Sequence, residues 1–409
     1  MDNAERTAIT FRHEQWRAVT TGMLETAGAT FLLLIAVRWF QAGALAKGLV
    51  AGGGSMGLLA TPLTVWLVSR RGWAASKAAA CLSLAGAACC LVMAVFPVLP
   101  VFVLGSMLAT ASAAAGIPLL TQIYQENYPD DRRGKLFSRT IMIRIAVAAI
   151  FSDLAGRALS HDLGHFQWLL VTFALAFLGT AFCLNRIPSR PLTNDGGAHP
   201  FHSLRFAKED ALFRRTLICW MLMGSANLMM LPLRIEYLAN PKYKLALAVS
   251  TIALLTGVIP NVARLCLSPL WGWLFDRMNF FTLRIVLNLG FAVGILAFFT
   301  SNTMTGLVLG AIVFGISNAG GDVAWSLWVT KLAPPERVAD YMSVHTFFTG
   351  VRGVLAPLIA FPLAAQLSLM WLAALCTGLI VLASVLLLPE IKFGKTMRKG
   401  TALVEEVAD

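Results

Sequence analysis

Long apolar runs with short polar breaks between them dominate this chain. Phe31–Val37, Val101–Ala115, Trp168–Cys183 and Trp371–Leu388 are near-continuous. A run of about 20 apolar residues matches the hydrocarbon thickness of a bilayer at ~1.5 Å rise per helical residue. Lipid offers the backbone no hydrogen bonds, so such runs predict helices. The alternation of a membrane β-barrel is absent. The pattern predicts an all-α membrane protein of twelve transmembrane helices. They fall at residues 17–40, 46–69, 73–96, 98–124, 136–158, 164–185, 214–238, 245–274, 280–300, 303–330, 339–364 and 368–390. The first 15 residues are polar, so no signal peptide is expected.

Composition agrees. Of 409 residues, 57% are hydrophobic and 13% charged, and mean hydropathy is +0.72. A soluble protein of this length needs a far more charged surface. The net charge of +12 therefore reads as basic loops rather than as a nucleic-acid surface. The seven cysteines all lie in apolar stretches without metal-ligand spacing and read as packing residues.

Charge also chooses the sides. Arg38, Lys47, Arg157, Arg234, Lys242 and Lys244 fall at or near one face, and Arg144, Arg264 and Arg352 fall deep inside spans. The other 24 of the 33 lysines and arginines lie with both termini on the opposite face, which is therefore expected to be cytoplasmic. The expected location is the plasma (inner) membrane, as a monomer. The longest polar stretch, Ile187–Lys208, contains Pro188, Asn194, Asp195, Gly196 and Gly197 and reads as a flexible linker near the midpoint. The expected organisation is a six-helix bundle over 1–185, a cytoplasmic linker over 186–213, a second six-helix bundle over 214–391 and a cytoplasmic tail over 392–409.

The two halves share signatures. Trp66, Leu67 and Arg70 recur as Trp273, Leu274 and Arg277, an offset of 207. Tyr128 to Arg132 (YPDDR) recurs as Ala333 to Arg337 (APPER), an offset of 205, and Ser138 and Ser343 keep that register. Each half has an even number of spans, so the repeat is parallel, about an axis along the membrane normal.

On these residues the chain resembles a transporter of the major facilitator superfamily. That family carries G-x-L-x-D-R-x-G-R between spans two and three and a weaker copy between spans eight and nine. Gly272, Leu274, Asp276 and Arg277 match the later copy, where Asn279 replaces the second Gly and Phe280 and Phe281 its basic residues. Leu67, Arg70 and Gly72 match the earlier copy, where Val65 replaces the first Gly and Ser69 the Asp. Pro129 to Gly134 resembles the loop signature between spans four and five, with Arg132 echoed by Arg337. The resemblance covers essentially the whole chain and says nothing about substrate. It implies two six-helix bundles and a cytoplasmic latch in which Asp276 faces the start of the fifth span, near Leu136–Arg139. A carboxylate there accepts hydrogen bonds from helix N-terminal amides. Ser69 carries no charge, so the expected gate is uneven, with the Asp276 side the stronger.

Ionisable residues at membrane depth are costly and mark candidate sites. Glu25, Arg144, Asp153, Arg264, Asp322 and Arg352 are such residues. Arg144 and Asp153 lie nine apart, ~13 Å along one helix, and cannot pair directly. Two readings stand: interhelical ion pairs that fix packing, or a central cavity whose arginines bind an anionic or polar solute while an acid carries a proton. Glu25 and Asp322 are the coupling candidates. His345 is a further candidate and reads first as packing, and Asn227, Asn261, Asn318 and Trp325 are candidate cavity-lining residues. Gly48, Gly52, Gly53 and Gly57, with Gly310, Gly315, Gly320 and Gly321, read as close helix packing.

These features predict a secondary transporter that moves a small polar or anionic solute by alternating access, with H+ as a candidate coupling ion. Efflux antiport of a drug or metabolite and a transporter-like sensor without flux are the alternatives. A membrane enzyme is disfavoured, because no nucleophile–base pair, metal-spaced His/Cys cluster or HExxH helix is present. No cofactor is expected, and no phosphate-binding loop is present for ATP.

Overall fold

The computed structural model describes residues 2–129, 133–191, 201–333 and 338–392. Among these the chain is helical apart from an isolated bridge between Ala74 and Pro191. Twelve long helical segments follow one another. α1 joins Asn3–Thr26, a π-helical turn at Ala27–Phe31 and Leu32–Arg38. α2 joins Ala44–Leu59 to Thr61–Arg70, bent by 44° where Pro62 opens the second piece. α3 is Ala75–Val95, and α4 joins Leu99–Ala115 to Ile117–Asn127. α5 is Arg133–His161 and α6 is Phe166–Arg186. α7 is Ala211–Ala239. α8 joins Val249–Ala253, a second π-helical turn at Leu254–Val258 and Ile259–Arg277. α9 is Phe280–Phe299, α10 is Met304–Leu327, α11 is Val338–Gln366 and α12 is Leu369–Leu387.

Ten of these are long and apolar enough to cross a bilayer, and the bent α2 makes eleven. The remaining one, α5, is long enough at 29 residues but too charged, because it carries Arg139, Arg144, Asp153 and Arg157.

Two expectations shift. α1 begins at Asn3, well before the apolar stretch at 17. Thr10, Glu14 and Ala18 recur at helical spacing and are buried. Arg17 donates to both Glu14 oxygens at 2.6 and 2.7 Å and to Tyr124 of α4 at 2.7 Å. Hydropathy marks only what lipid covers, whereas this extension is held by packing on α4. The linker also contains helical turns, at His202–Arg205 and Phe206–Glu209. Buried Phe206 stacks on Tyr341 of α11 at 5.0 Å; residues 192–200 lie outside the described ones.

Packing shows the internal repeat. In the first half α1 packs on α5 and α6, α2 on α4, and α3 on α4 and α6. In the second half α7 packs on α11 and α12, α8 on α10, and α9 on α10 and α12. Each pairing recurs six helices later. The halves meet through α2 on α11 and α5 on α8, which a two-fold axis along the membrane normal interchanges. The small residues make this closeness possible. Gly48 faces Pro357 and Leu358, Gly52 faces Gly353 and Val354, and Gly53 and Gly57 face Met107, Thr110 and Ala111.

Candidate functional site

A ladder of alternating charge crosses the interface between the halves. Arg264 of α8 donates through Nη1 to Glu25 Oε1 of α1 at 2.5 Å and through Nε to Asp322 Oδ2 of α10 at 2.5 Å. Arg144 Nε of α5 lies 3.0 Å from the other Glu25 oxygen, an ion-pair contact without hydrogen-bond geometry. Asn261, three residues before Arg264, accepts from Arg264 Nη1 at 3.4 Å. The order Arg144, Glu25, Arg264, Asp322 has no net formal charge. Each ion alone would cost several kcal/mol in a low dielectric, and pairing offsets most of this.

Local structure aims these groups. Glu25 sits two residues before the π-turn of α1, and Arg264 six after that of α8. A π-turn inserts an extra residue and redirects the side chains around it. The two turns touch: Thr30 Oγ1 lies 3.3 Å from Thr256 Oγ1.

The ladder is partly exposed. The Asp322 side chain is 51% exposed and that of Glu25 26%, although both are bonded between helices. Their exposed surface therefore belongs to a cleft between the halves. On the face opposite the basic loops the cleft is shut. Lys47 donates to Glu236 Oε1 at 2.6 Å, joined there by Asn240 Nδ2 at 2.7 Å. Arg38 Nη2 donates to Leu247 O at 2.7 Å, and Ser250 Oγ to Ser160 Oγ at 3.4 Å. Leu32 to Val37 are all buried. Small and apolar residues of both halves, among them Gly28, Ala29, Ser55, Leu228 and Gly353, line a small pocket between the halves.

The structure regroups the candidates. Glu25, Arg144, Arg264, Asp322 and Asn261 come together. Asp153 does not join them; it pairs with Arg157 one turn on, at 2.9 Å, on an exposed surface. Arg352 does not face the cleft either. It is buried inside the second half, where it donates to Trp220 O of α7 and to Thr349 Oγ1 at 3.3 Å. His345 is buried against Trp220, Trp325 and Trp328. Asn318 is half-buried one turn before Asp322, and Trp325 half-buried one turn after it. Sequence reasoning missed Glu236 as the partner of Lys47 and placed Arg284 among the basic-face residues, although it is 2% exposed.

The repeated loop motif has a local role in both copies. Arg70 lies over the Trp66 ring at 5.1 Å and Arg277 over the Trp273 ring at 4.5 Å, the same cation–π pair one turn apart. Ser69 Oγ folds back onto Trp66 O at 3.0 Å, and Gly72 takes the left-handed φ of 61° that its turn requires. Asn279, in place of the motif Gly, caps α9 through Oδ1 and donates to Ile391 O at 2.7 Å. A Cβ on Gly272 would meet nothing within 4 Å. The Asp276 side chain, Arg132 and Arg337 lie outside the described residues.

Residues 236–403 match the model of the Major Facilitator Superfamily. Among solved structures, the nucleoside transporter NupG superposes with a TM-score of 0.74 at 13% identity, over 93% of this chain and 98% of that one. A D-xylose-proton symporter gives 0.68 at 17% identity, over 94% and 96%. The inward open conformation of the xylose transporter XylE from E. coli gives 0.66 at 14% identity, over 100% and 99%. No curated protein matches the chain in sequence. The second half thus matches the superfamily in sequence, and the whole chain takes its fold.

Proposed function

We propose that this chain, an all-α membrane protein with the major facilitator superfamily fold, is a secondary transporter. It moves a small polar, uncharged solute by alternating access, with the ladder as its binding and coupling site. The observation that carries this reading is the Arg264 bridge to Glu25 across the two halves, where the Glu25 side chain stays partly exposed. Groups that join the halves at mid-depth must rearrange when the halves rock. Glu25 and Asp322 are the acids placed to exchange a proton as Arg264 moves between them.

Charge selects the solute class. Two of the three deep arginines already have acid partners, and the third lies outside the cleft. The ladder is neutral and rich in both donors and acceptors. That favours a hydroxyl-bearing neutral solute over an anion, and the likeness in fold to nucleoside and xylose transporters points the same way. The basic face is the cytoplasmic one in this reading, by the positive-inside rule.

The test is uptake into proteoliposomes from a panel containing a pentose, a nucleoside and a dicarboxylate, with and without an inward proton gradient. Saturable uptake of a neutral member, accelerated by the gradient, is expected. Uptake of the dicarboxylate alone would overturn the solute class, and gradient-independent uptake would overturn proton coupling.

A further inference from the structure

The core of the second half holds a concentration of positive charge that nothing among the described residues neutralises. Trp220 of α7 is its centre. The Arg284 guanidinium of α9 lies over the Trp220 ring with Cζ 3.6 Å from the centroid, and the Arg352 Cζ of α11 lies at 5.8 Å. The His345 ring lies 5.2 Å from Trp220 and 5.0 Å from Trp328, and the two indoles are 5.7 Å apart. All five residues are buried.

Among the described residues neither arginine has an acid within ion-pair distance, in contrast with Arg17, Lys47, Arg144 and Arg264, which all do. The described acids at this end are engaged elsewhere. Asp210 caps α7 and accepts from Tyr341, and Glu390 pairs with Arg215. A ring face offsets part of one guanidinium's desolvation but accepts few of its N–H groups. The hydrogen bonds are also incomplete. Arg352 Nε, Trp220 Nε1, Trp328 Nε1 and both His345 nitrogens are buried without a hydrogen-bond partner among the described residues. Buried donors are ordinarily satisfied, and buried charges ordinarily paired. Two cations and several orphan donors around one point have one simple chemical complement.

We propose that this cluster binds a small inorganic anion, held by Arg284 and Arg352 with indole and imidazole N–H groups as further donors. The anion ties α7, α9, α11 and the turn that follows α10 into one body. The site is distinct from the cleft and does not depend on the transport reading, since Arg264 and Glu25 take no part in it.

The test is the thermal unfolding midpoint of the purified full chain in detergent. Sodium gluconate is replaced stepwise by chloride, and in a second arm by phosphate, at constant ionic strength. A ligand bound only by the native state raises the midpoint saturably. Such a rise is expected in one arm for the wild type and for Arg264→Gln, and is expected to vanish in Arg284→Gln and Arg352→Gln. Trp328→Phe keeps both charges and an aromatic ring while removing one donor, so it should raise the half-saturating concentration several-fold. It decides the matter should the arginine variants fail to fold. A midpoint insensitive to both anions in the wild type would overturn the proposal. So would an unchanged half-saturation in Trp328→Phe, or loss of the response in Arg264→Gln.

Discussion

At the scale of single residues, cost in lipid makes candidates visible but does not reveal their partners. Glu25, Arg144, Arg264 and Asp322 stand out in the sequence because they interrupt apolar runs. Their pairing was not legible, because Glu25 and Arg264 are 239 positions apart and meet only when the halves pack. The same limit misplaced two residues. Asp153 has the composition of a buried acid but turns to Arg157 at the surface. Arg352 looks like a cavity cation but points inward to α7. Opposite expectations follow. Asp153→Asn should leave uptake unchanged and stability within ~0.5 kcal/mol, the size of an exposed pair on one helix turn. Asp322→Asn leaves the largely buried Arg264 one acid short. It should lower uptake more than ~10-fold, the factor that about 1.4 kcal/mol represents. Proteoliposome uptake and thermal unfolding of both variants check this. Equal effects would contradict the assignment of the ladder.

At the scale of elements, the twelve apolar segments were legible almost throughout, and their interruptions were not. Nothing in AGATF or LLTGV announces a π-turn, since the extra residue is tolerated where the facing turn of the other half supplies a contact. Close packing by glycine was legible from spacing, but the partner of each glycine was not. The distances now separate neighbours. A Cβ on Gly52 would meet backbone atoms of α11 no nearer than 3.5 Å, whereas one on Gly53 would lie 2.8 Å from Met107 Cα. Gly52→Ala should therefore be accepted with little change in the unfolding midpoint, and Gly53→Ala should lower it clearly. The far-face closure gives a second expectation. Glu236→Gln strips Lys47 of its counter-charge in a buried site, a change that costs about 3–5 kcal/mol while the site stays closed. Opening to the far face hydrates Lys47 and relieves that cost. Ser152, buried behind Gly257, can report it. In a background with the native cysteines replaced, Ser152→Cys should react faster with an impermeant thiol reagent added at the far face when Glu236→Gln is present. An unchanged rate would show that the pair does not hold this face shut.

At the scale of the whole molecule, an offset of about 206 residues in two loops foretold the pseudo-symmetric packing of α2 on α11 and α5 on α8. Symmetry does not extend to chemistry. The second half supplies Arg264 and Asp322 and the buried arginine cluster, whereas the first supplies Glu25 and Arg144. The loop motif, read first as a latch, has in both copies a Trp–Arg stack at a helix end that accounts for its shared Trp and Arg. What the sequence left open is which face is closed, since that depends on contacts between halves rather than on any one segment. The central claim is that the Arg264 bridge is part of the path of a solute that both halves handle in turn. Solute counterflow tests it most directly, because exchange across preloaded proteoliposomes needs no coupling gradient. With a neutral solute found by the panel, the wild type should show a transient overshoot of label that Arg264→Gln abolishes while remaining folded. Full counterflow in Arg264→Gln would contradict the account.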